Sequence, residues 1–283
     1  MGAPVRQEDF DLFANTIKQR SGITLTPDKA YLLESRLGPV ARKQGLKDLE
    51  ELARAIRTGR DEKLLTIVTE AMTTNETFFF RDQKPFDQFR KVVLPHILKV
   101  RAGKRHLRIW SAASSTGQEA YSLAMILTDE AAKMPGWTFD IIGTDLSSEV
   151  VDKAKAGIYN QFEVQRGLPI TMLAKYFKQD GDKWQISEAI RKMVQFKTMN
   201  LLGDWGGIGT FDVVFCRNVL IYFDPPTKTK ILERIGQLIT PDGVLFLGGA
   251  EAVLGITDKF KIIPDHKGLY VPTACPVEMW KAA

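Results

Sequence analysis

The sequence predicts an α/β protein: a helical N-terminal domain followed by a sheet domain that carries a small inserted β-subdomain. Three observations lead there. Between Glu8 and Thr74 the apolar residues fall only at helical spacing. Beyond Arg105, short apolar runs alternate with amphipathic stretches, the pattern of a largely parallel sheet covered on both faces. Between Gly157 and Lys192 lies far more chain than one crossover needs, and an insertion of that size is usually functional. The expected boundaries are therefore 1–74 for the helical domain and 75–283 for the sheet domain, with the insertion at about 157–192.

In the helical part, Phe10, Phe13 and Ile17, then Leu32, Leu33, Leu37 and Val40, recur at three- and four-residue steps. Ser21-Gly22, Thr26-Pro27-Asp28, Gly45 and Thr58-Gly59 interrupt them, so the helices are short and form a small bundle. Strands are expected at Leu107–Trp110, Phe139–Thr144, Val194–Thr198, Phe211–Cys216 and Gly243–Leu247. In the insertion, the polar turn Gln179–Lys183 separates Tyr176-Phe177 from Trp184-Gln185-Ile186 and reads as a β-hairpin.

At 283 residues, 44% of them hydrophobic, the chain can bury one sizeable core and a smaller second one. No apolar run approaches the roughly 20 residues that span a bilayer, and Met1–Phe10 has no apolar signal region, so a cytoplasmic protein is expected. Cys216 and Cys275 form no C-x-x-C, and Cys216 is expected in the core. His96, His106 and His266 are scattered without ligand spacing, so no metal site is expected. The net charge of +5 suits an anionic substrate or acidic partner as well as nucleic acid. Phe86 and Phe89, interleaved with the cations of 81–108, fall at helical spacing and favour core over a base-stacking platform, so no nucleic acid is expected.

The chemistry concentrates at strand ends. Arg108–Trp110 opens into Ser111-Ala112-Ala113-Ser114-Ser115-Thr116-Gly117 and then an amphipathic stretch, and the next apolar run ends in Asp145. Small side chains let the backbone approach a ligand, a helix start offers free N–H groups, and a carboxylate at the neighbouring strand tip can hold two ribose hydroxyls. The loop has no G-x-G-x-x-G and no G-x-x-x-x-G-K-[ST], which favours an adenosyl group without phosphate over a dinucleotide or triphosphate. A second constellation is Met72–Arg81, at the domain junction. In a third, Phe215–Pro226, Arg217, Asn218 and Tyr222 are read as projecting from a strand end, and Asp224-Pro225 as a helix start.

Together these motifs resemble the chemotaxis receptor methyltransferases, the CheR family. The matching pieces are T-T-N-x-T-x-F-F-R at Thr73–Arg81, W-S-A-A-x-S-T-G-x-E at Trp110–Glu119, the strand-end Asp145, the pair Asn200-Leu201, and C-R-N-V-x-I-Y-F-D at Cys216–Asp224. The resemblance implies a Rossmann-like S-adenosylmethionine-dependent methyltransferase sheet domain and protein-glutamate O-methyltransferase activity on chemoreceptors, giving glutamyl methyl esters and S-adenosylhomocysteine. It implies that Asn75, Thr77 and Arg81 approach the methionine end of the cofactor, with Glu119 near its ammonium. Asp145 would hold the ribose, Asn200 and Leu201 would frame the adenine, and Ala112, Arg217 and Asn218 would line the same pocket. Arg81 and Tyr222 would orient the substrate carboxylate, since both donate hydrogen bonds without acting as bases. Arg36, Arg42, Lys43, Arg54, Arg57 and Arg60 would form a basic face for the acidic methylation helices of a receptor.

Bland readings stand beside these. Asp145 could serve only as a helix cap, Arg81 as a surface cation paired with Asp82 or Glu76, Tyr222 as core, and the arginines as an ordinary solvated face. Phe78–Phe80 is expected to pack a domain interface. Gln118 stands where many family members have an acidic residue, and Ala120 where proline is frequent. The short tip Gln179–Lys183 fits the type that needs no receptor C-terminal pentapeptide. A catalytically silent, cofactor-responsive docking module and a nicotinamide-dependent oxidoreductase are the competing functions.

Overall fold

The computed structural model describes residues 5–59 and 61–280, the side chain of Met279 excepted. The chain forms two compact units. One comprises the residues up to Thr74 together with Asn200–Asp204 and Tyr222–Thr227; the other comprises Asn75–Met199, Trp205–Ile221 and the chain from Lys228 onward.

The helical unit contains α1 (Gln7–Ser21), α2 (Tyr31–Lys43), α3 (Leu49–Thr58) and α4 (Glu62–Ala71). Their buried faces are those of the sequence pattern: Phe10, Phe13 and Ile17 from α1 and Leu33, Leu37 and Val40 from α2 share one core. Gly22 ends α1 at φ 80°, while Asp48 and Asp61 cap α3 and α4 through backbone N–H groups. Residues 222–227 join this unit by short-range bonds: Ile23 bridges Phe223, and the Thr24 N–H donates to the Tyr222 carbonyl at 2.9 Å. The Lys18 ammonium lies 2.8 Å from Asp224 and, with the Thr227 hydrogen bond, holds that carboxyl down to about 2.

The second unit is built on a seven-stranded sheet. Its strands are β1 (His106–Ala112), β2 (Thr138–Asp145), β6 (Val194–Thr198), β7 (Phe211–Cys216), β8 (Ile239–Leu247), β9 (Phe260–Ile262) and β10 (Leu269–Pro272). The order is β6-β2-β1-β7-β8-β10-β9. The five strands from β6 to β8 are parallel neighbours, and β10 runs antiparallel to both β8 and β9. The five expected strands are all present. The antiparallel pair β9 and β10 was not expected, because strands of three and four residues are too short to show a period.

Helices α5 (Lys84–Gln88), α6 (Leu94–Val100), α7 (Gln118–Asp129), α8 (Ser148–Ala156), α11 (Glu188–Arg191) and α12 (Pro225–Leu238) accompany the sheet, the first residues of α12 belonging to the helical unit. Phe86 and Phe89 are buried against Phe215, as their spacing predicts, and Phe215 stacks on Phe246 at 4.2 Å. Chain order places β2 on one side of β1 and β7 on the other, so the carboxyl ends of these three strands open a crevice at a topological switch point.

The insertion folds as α9 (Gln161–Gln165), α10 (Ile170–Tyr176) and a second antiparallel sheet of β3 (Ile158–Asn160), β4 (Phe177–Asp180) and β5 (Lys183–Ile186) in the order β3-β5-β4. Asp180 pairs with Lys183, leaving Gly181-Asp182 as a two-residue turn with Gly181 at φ 60°. The expected role of Phe78–Phe80 as a domain interface is corrected here. Phe79 meets Tyr159 and Phe177 edge-on at 5.1 and 5.5 Å, and Phe80 meets Phe86, so both rings belong to the core of the sheet unit and tie the insertion to it. Among the described residues, no helix is long and apolar enough to cross a membrane.

Candidate functional site

The crevice is lined by three strand ends and the segment 75–83. After Ala112, the last residue of β1, the loop turns through Ala113 (φ 55°), Ser115 (φ 49°) and Gly117 (φ 94°) into α7. A Cβ on Gly117 would lie 3.0 Å from both Ala154 and Phe196, so close packing as well as backbone conformation demands glycine there. Gly143 on β2 is constrained by packing alone, since its Cβ would fall 2.5 Å from the Phe196 ring.

Asp145 ends β2 with 7% of its surface exposed. Its Oδ2 accepts the Ser115 N–H at 2.8 Å and its Oδ1 the Ser147 N–H at 3.1 Å, so one carboxylate joins the loop after β1 to the loop after β2. The residue preceding α8 is Ser147, which separates Asp145 from a simple helix cap. The Ser115 hydroxyl donates to the Asn75 carbonyl at 2.7 Å, which brings Asn75 onto the same loop. Asn75 and Thr77 line a cleft of about 370 Å³ with Thr116, Gln118 and Glu149.

Glu119, on the first turn of α7, accepts Ser111 Oγ at 2.8 Å on Oε1 and Arg217 Nη1 at 2.8 Å on Oε2. Arg217 follows β7 and is 5% exposed. Its Nη2 donates to the Arg81 carbonyl at 2.8 Å and to Asp82 at 2.7 Å. A buried guanidinium thus sits between two carboxylates and grips the segment carrying Arg81. The Arg81 guanidinium itself donates to the Glu76 carbonyl at 2.6 Å and lies 5.7 Å from the Phe78 ring. Neither Asp82 nor the Glu76 carboxylate is its ion partner: Arg166 takes Glu76 at 2.6 Å, and that hydrogen bond lowers the Glu76 carboxyl below its ordinary value. Asn218, at φ 58°, lines a second cleft of about 390 Å³ with Asp82, Gln88 and Leu247. Next to it, Cys216 is fully buried; burial first, then the charges of Glu251 and Glu119, push its thiol far up, so it remains an inert protonated core residue as expected.

The sheet unit therefore gathers Asn75, Thr77, Arg81, Ala112, Glu119, Asp145, Arg217 and Asn218. Asn200, Leu201 and Tyr222 belong to the helical unit instead, where Asn200 Nδ2 donates to the Arg20 carbonyl at 2.6 Å and Leu201 is buried. Tyr222 does not project from a strand end: β7 stops at Cys216, and Tyr222 closes a single 3-10 turn, Leu220–Tyr222.

Three residues of the expected basic face have partners within the helical unit, two of them, Arg54 and Arg57, while staying exposed. Arg36 donates to the carbonyls of Met72 and Thr73, Arg57 pairs with the buried Asp9 at 2.8 Å, and Arg54 pairs with Glu50. Arg42 and Lys43 are exposed, and Arg60 lies outside the described residues. Sequence reasoning missed Ser111, Asp82 and Glu251. Asp82 could have been found as a carboxylate beside Arg81, whereas only folding brings Ser111 and Glu251 to their partners.

Comparison with known proteins gives this geometry a family. The model described as "CheR methyltransferase, SAM binding domain" matches residues 75–269, and "CheR methyltransferase, all-alpha domain" matches residues 8–73. Chemotaxis protein methyltransferase 1 of Pseudomonas aeruginosa is 42% identical over 265 residues, covering 92% of this chain and 96% of that protein. The chemotaxis protein methyltransferase of Vibrio anguillarum is 38% identical over 268 residues, covering 94% and 96%. The chain belongs to the CheR methyltransferase family.

Removing Arg217 would leave Glu119, 12% exposed at its side chain, without its cation. Arg217→Met is expected to lower the unfolding free energy by about 3 kcal/mol in denaturant titration, the lower end for a broken buried pair because Asp82 can turn to solvent. A loss below about 1 kcal/mol would show that the cluster is not a stabilising element.

Proposed function

We propose that the chain transfers the methyl group of S-adenosylmethionine to glutamate side chains of chemoreceptors in the cytoplasm, as a protein-glutamate O-methyltransferase. The single observation that carries the reading is Asp145: a nearly buried carboxylate at the tip of β2, joined to a small-residue loop at the switch point of a parallel sheet. The residues present suit an adenosyl ligand. The loop's small side chains and the tight approach at Gly117 admit backbone contact, and Asp145 places a carboxylate at the strand tip beside that loop, the group type that ribose hydroxyls donate to. The names of the relatives agree with a chemotaxis role.

S-adenosylmethionine supplies an electrophilic methyl on a sulfonium; the new bond is carboxylate oxygen to carbon, and the electrons of the broken carbon–sulfur bond stay on sulfur. A glutamate is already an anion at neutral pH, so the protein need not remove a proton. Its work is alignment. Asn75 and Thr77 are assigned to the methionine end, a reading supported by the Ser115 bond that brings Asn75 onto the loop, and Glu119 can still accept an ammonium because a carboxylate has about four lone-pair sites. Arg81, held through its carbonyl by Arg217, is assigned to orient the glutamyl carboxylate, where correct placement can account for several kcal/mol of barrier. The two-residue turn Gly181-Asp182 supports independence from a receptor pentapeptide, because the hairpin tip offers little chain to enclose a peptide. Arg42 and Lys43 remain exposed to meet an acidic receptor helix.

Labelled S-adenosylmethionine incubated with the enzyme and receptor, with and without the receptor tail, is expected to give protein label that alkali releases as methanol in both cases. Label stable to alkali would exclude a carboxyl ester, and loss of label on tail removal would overturn the pentapeptide-independent assignment. Asp145→Ala is expected to weaken S-adenosylhomocysteine binding at least tenfold in calorimetry, from the loss of two charge-assisted hydrogen bonds of about 1.5–3 kcal/mol each. Unchanged affinity would remove Asp145 from the site. Arg81→Ala is expected to lower kcat roughly a hundredfold at saturating receptor, whereas normal turnover would end its orienting role.

A further inference from the structure

Glu251 belongs to none of the motifs above, yet its carboxylate accepts four backbone N–H groups at the sheet's carboxyl edge. It follows β8 in the turn Gly248–Glu251 and is 8% exposed. Oε1 accepts the N–H of Val219 at 2.9 Å and of Leu220 at 2.7 Å. Oε2 accepts the N–H of Asn218 at 2.9 Å and of Gly248 at 2.7 Å. Four donors fill the usual capacity of a carboxylate, and three of them come from consecutive residues whose N–H groups converge as in an anion-binding nest. The anion is supplied from within the chain, by the loop on the next strand.

The consequence falls on Asn218. Asn218 sits in the left-handed backbone region at φ 58°, which asparagine adopts more readily than other side-chain-bearing residues but only as a single, locally held residue. Its N–H, and those of the two residues after it, are fixed by Glu251. Gly248 completes the arrangement: a Cβ there would stand 2.7 Å from Glu251 Oε2 and 2.9 Å from Asn218 Nδ2, so the end of β8 closes directly against both. We propose that Glu251 is a positioning residue that sets the backbone of Asn218, and so aims its side chain into the cleft it shares with Asp82, Leu247 and Gly268. The inference rests on the reading that Asn218 lines the cofactor pocket.

Glu251→Gln preserves shape but turns one oxygen into an NH2 that faces two backbone N–H donors. Affinity for S-adenosylhomocysteine is measured by calorimetry for wild type, Glu251→Gln, Asn218→Ala and the double variant, with thermal melts of each. Acting through Asn218, Glu251→Gln weakens binding about tenfold or more, and the double variant is no weaker than the weaker-binding single variant. Glu251→Asp, which keeps the charge one methylene short, recovers part of the loss. Should Glu251→Gln fail to melt cooperatively, Gly248→Ala presses on the same two residues and must couple to Asn218→Ala in the same way. Additive losses in the cycle, or Glu251→Gln affinity within twofold of wild type, would overturn the proposal and reduce Glu251 to a loop staple. Normal binding by Asn218→Ala would overturn it too, through the failure of Asn218 as a pocket residue. Receptor methylation is not part of this readout, so failure of the methyltransferase reading shows separately, in the methanol assay.

Discussion

The Arg217 guanidinium is the point at which three separate stretches of the sheet unit are held together. It pairs with Glu119 at the start of α7, with Asp82 beyond the T-T-N motif, and with the Arg81 carbonyl. A cation buried this deeply is tolerable only when paired; its two Nη atoms meet two carboxylates and a carbonyl while its buried Nε has no hydrogen-bond partner among the described residues, so the positions of Glu119 and Arg81 are tied to pairing Arg217. Glu119, proposed for the methionine end, and Arg81, proposed to orient the substrate, therefore share one electrostatic anchor. Arginine suits the place better than lysine because a planar fork can address three partners in fixed directions.

Strain gathers around that anchor. Among the described residues, the left-handed non-glycine positions include Phe80, Asp82, Gln83, Ala113, Ser115 and Asn218, all in the segments that line the crevice. Three of the six have their N–H held by a distant side chain: Phe80 by Ser122 Oγ, Ser115 by Asp145 and Asn218 by Glu251. Conformations of this kind persist where the surrounding structure outweighs their local cost, which is typical of functional sites. The surrounding structure here is an aromatic core. Phe79 with Tyr159 and Phe177, and Phe80 with Phe86 and Phe215, clamp the segment from both sides before any ligand is considered. The crevice is thus preorganised by packing.

Asp145 and Glu251 use one device at two strand ends of the same sheet, after β2 and after β8. In each case a carboxylate at the sheet edge gathers backbone N–H groups from a loop that is distant in sequence, thirty residues away for Ser115 and thirty-three for Asn218. The difference lies in what remains. Glu251 is filled by four backbone donors and can only support, whereas Asp145 is the one proposed to meet a ligand.

By itself the sequence determined what depends on local pattern and local chemistry. The helical faces of Phe10–Ile17 and Leu33–Val40, the five parallel strands, the β-hairpin around Gln179–Lys183 and the strand-end position of Asp145 all follow from periodicity and turn residues read over a few positions, while the pairing of Asp180 with Lys183 that narrows the turn to two residues came from the fold. Linear motifs also carried the family, because most of its recognisable residues cluster in short runs. Tertiary structure alone decided which charges meet. Arg36 and Arg57, read as surface, are spent on Met72–Thr73 and Asp9; Glu251, unremarkable after Gly248-Gly249-Ala250, becomes the anion of the Asn218 loop; Asn200 and Tyr222 fall with the helical unit though they sit in the second half of the chain. Pairing energies act between groups brought within about 3 Å by the whole fold, and no local window of sequence contains that distance.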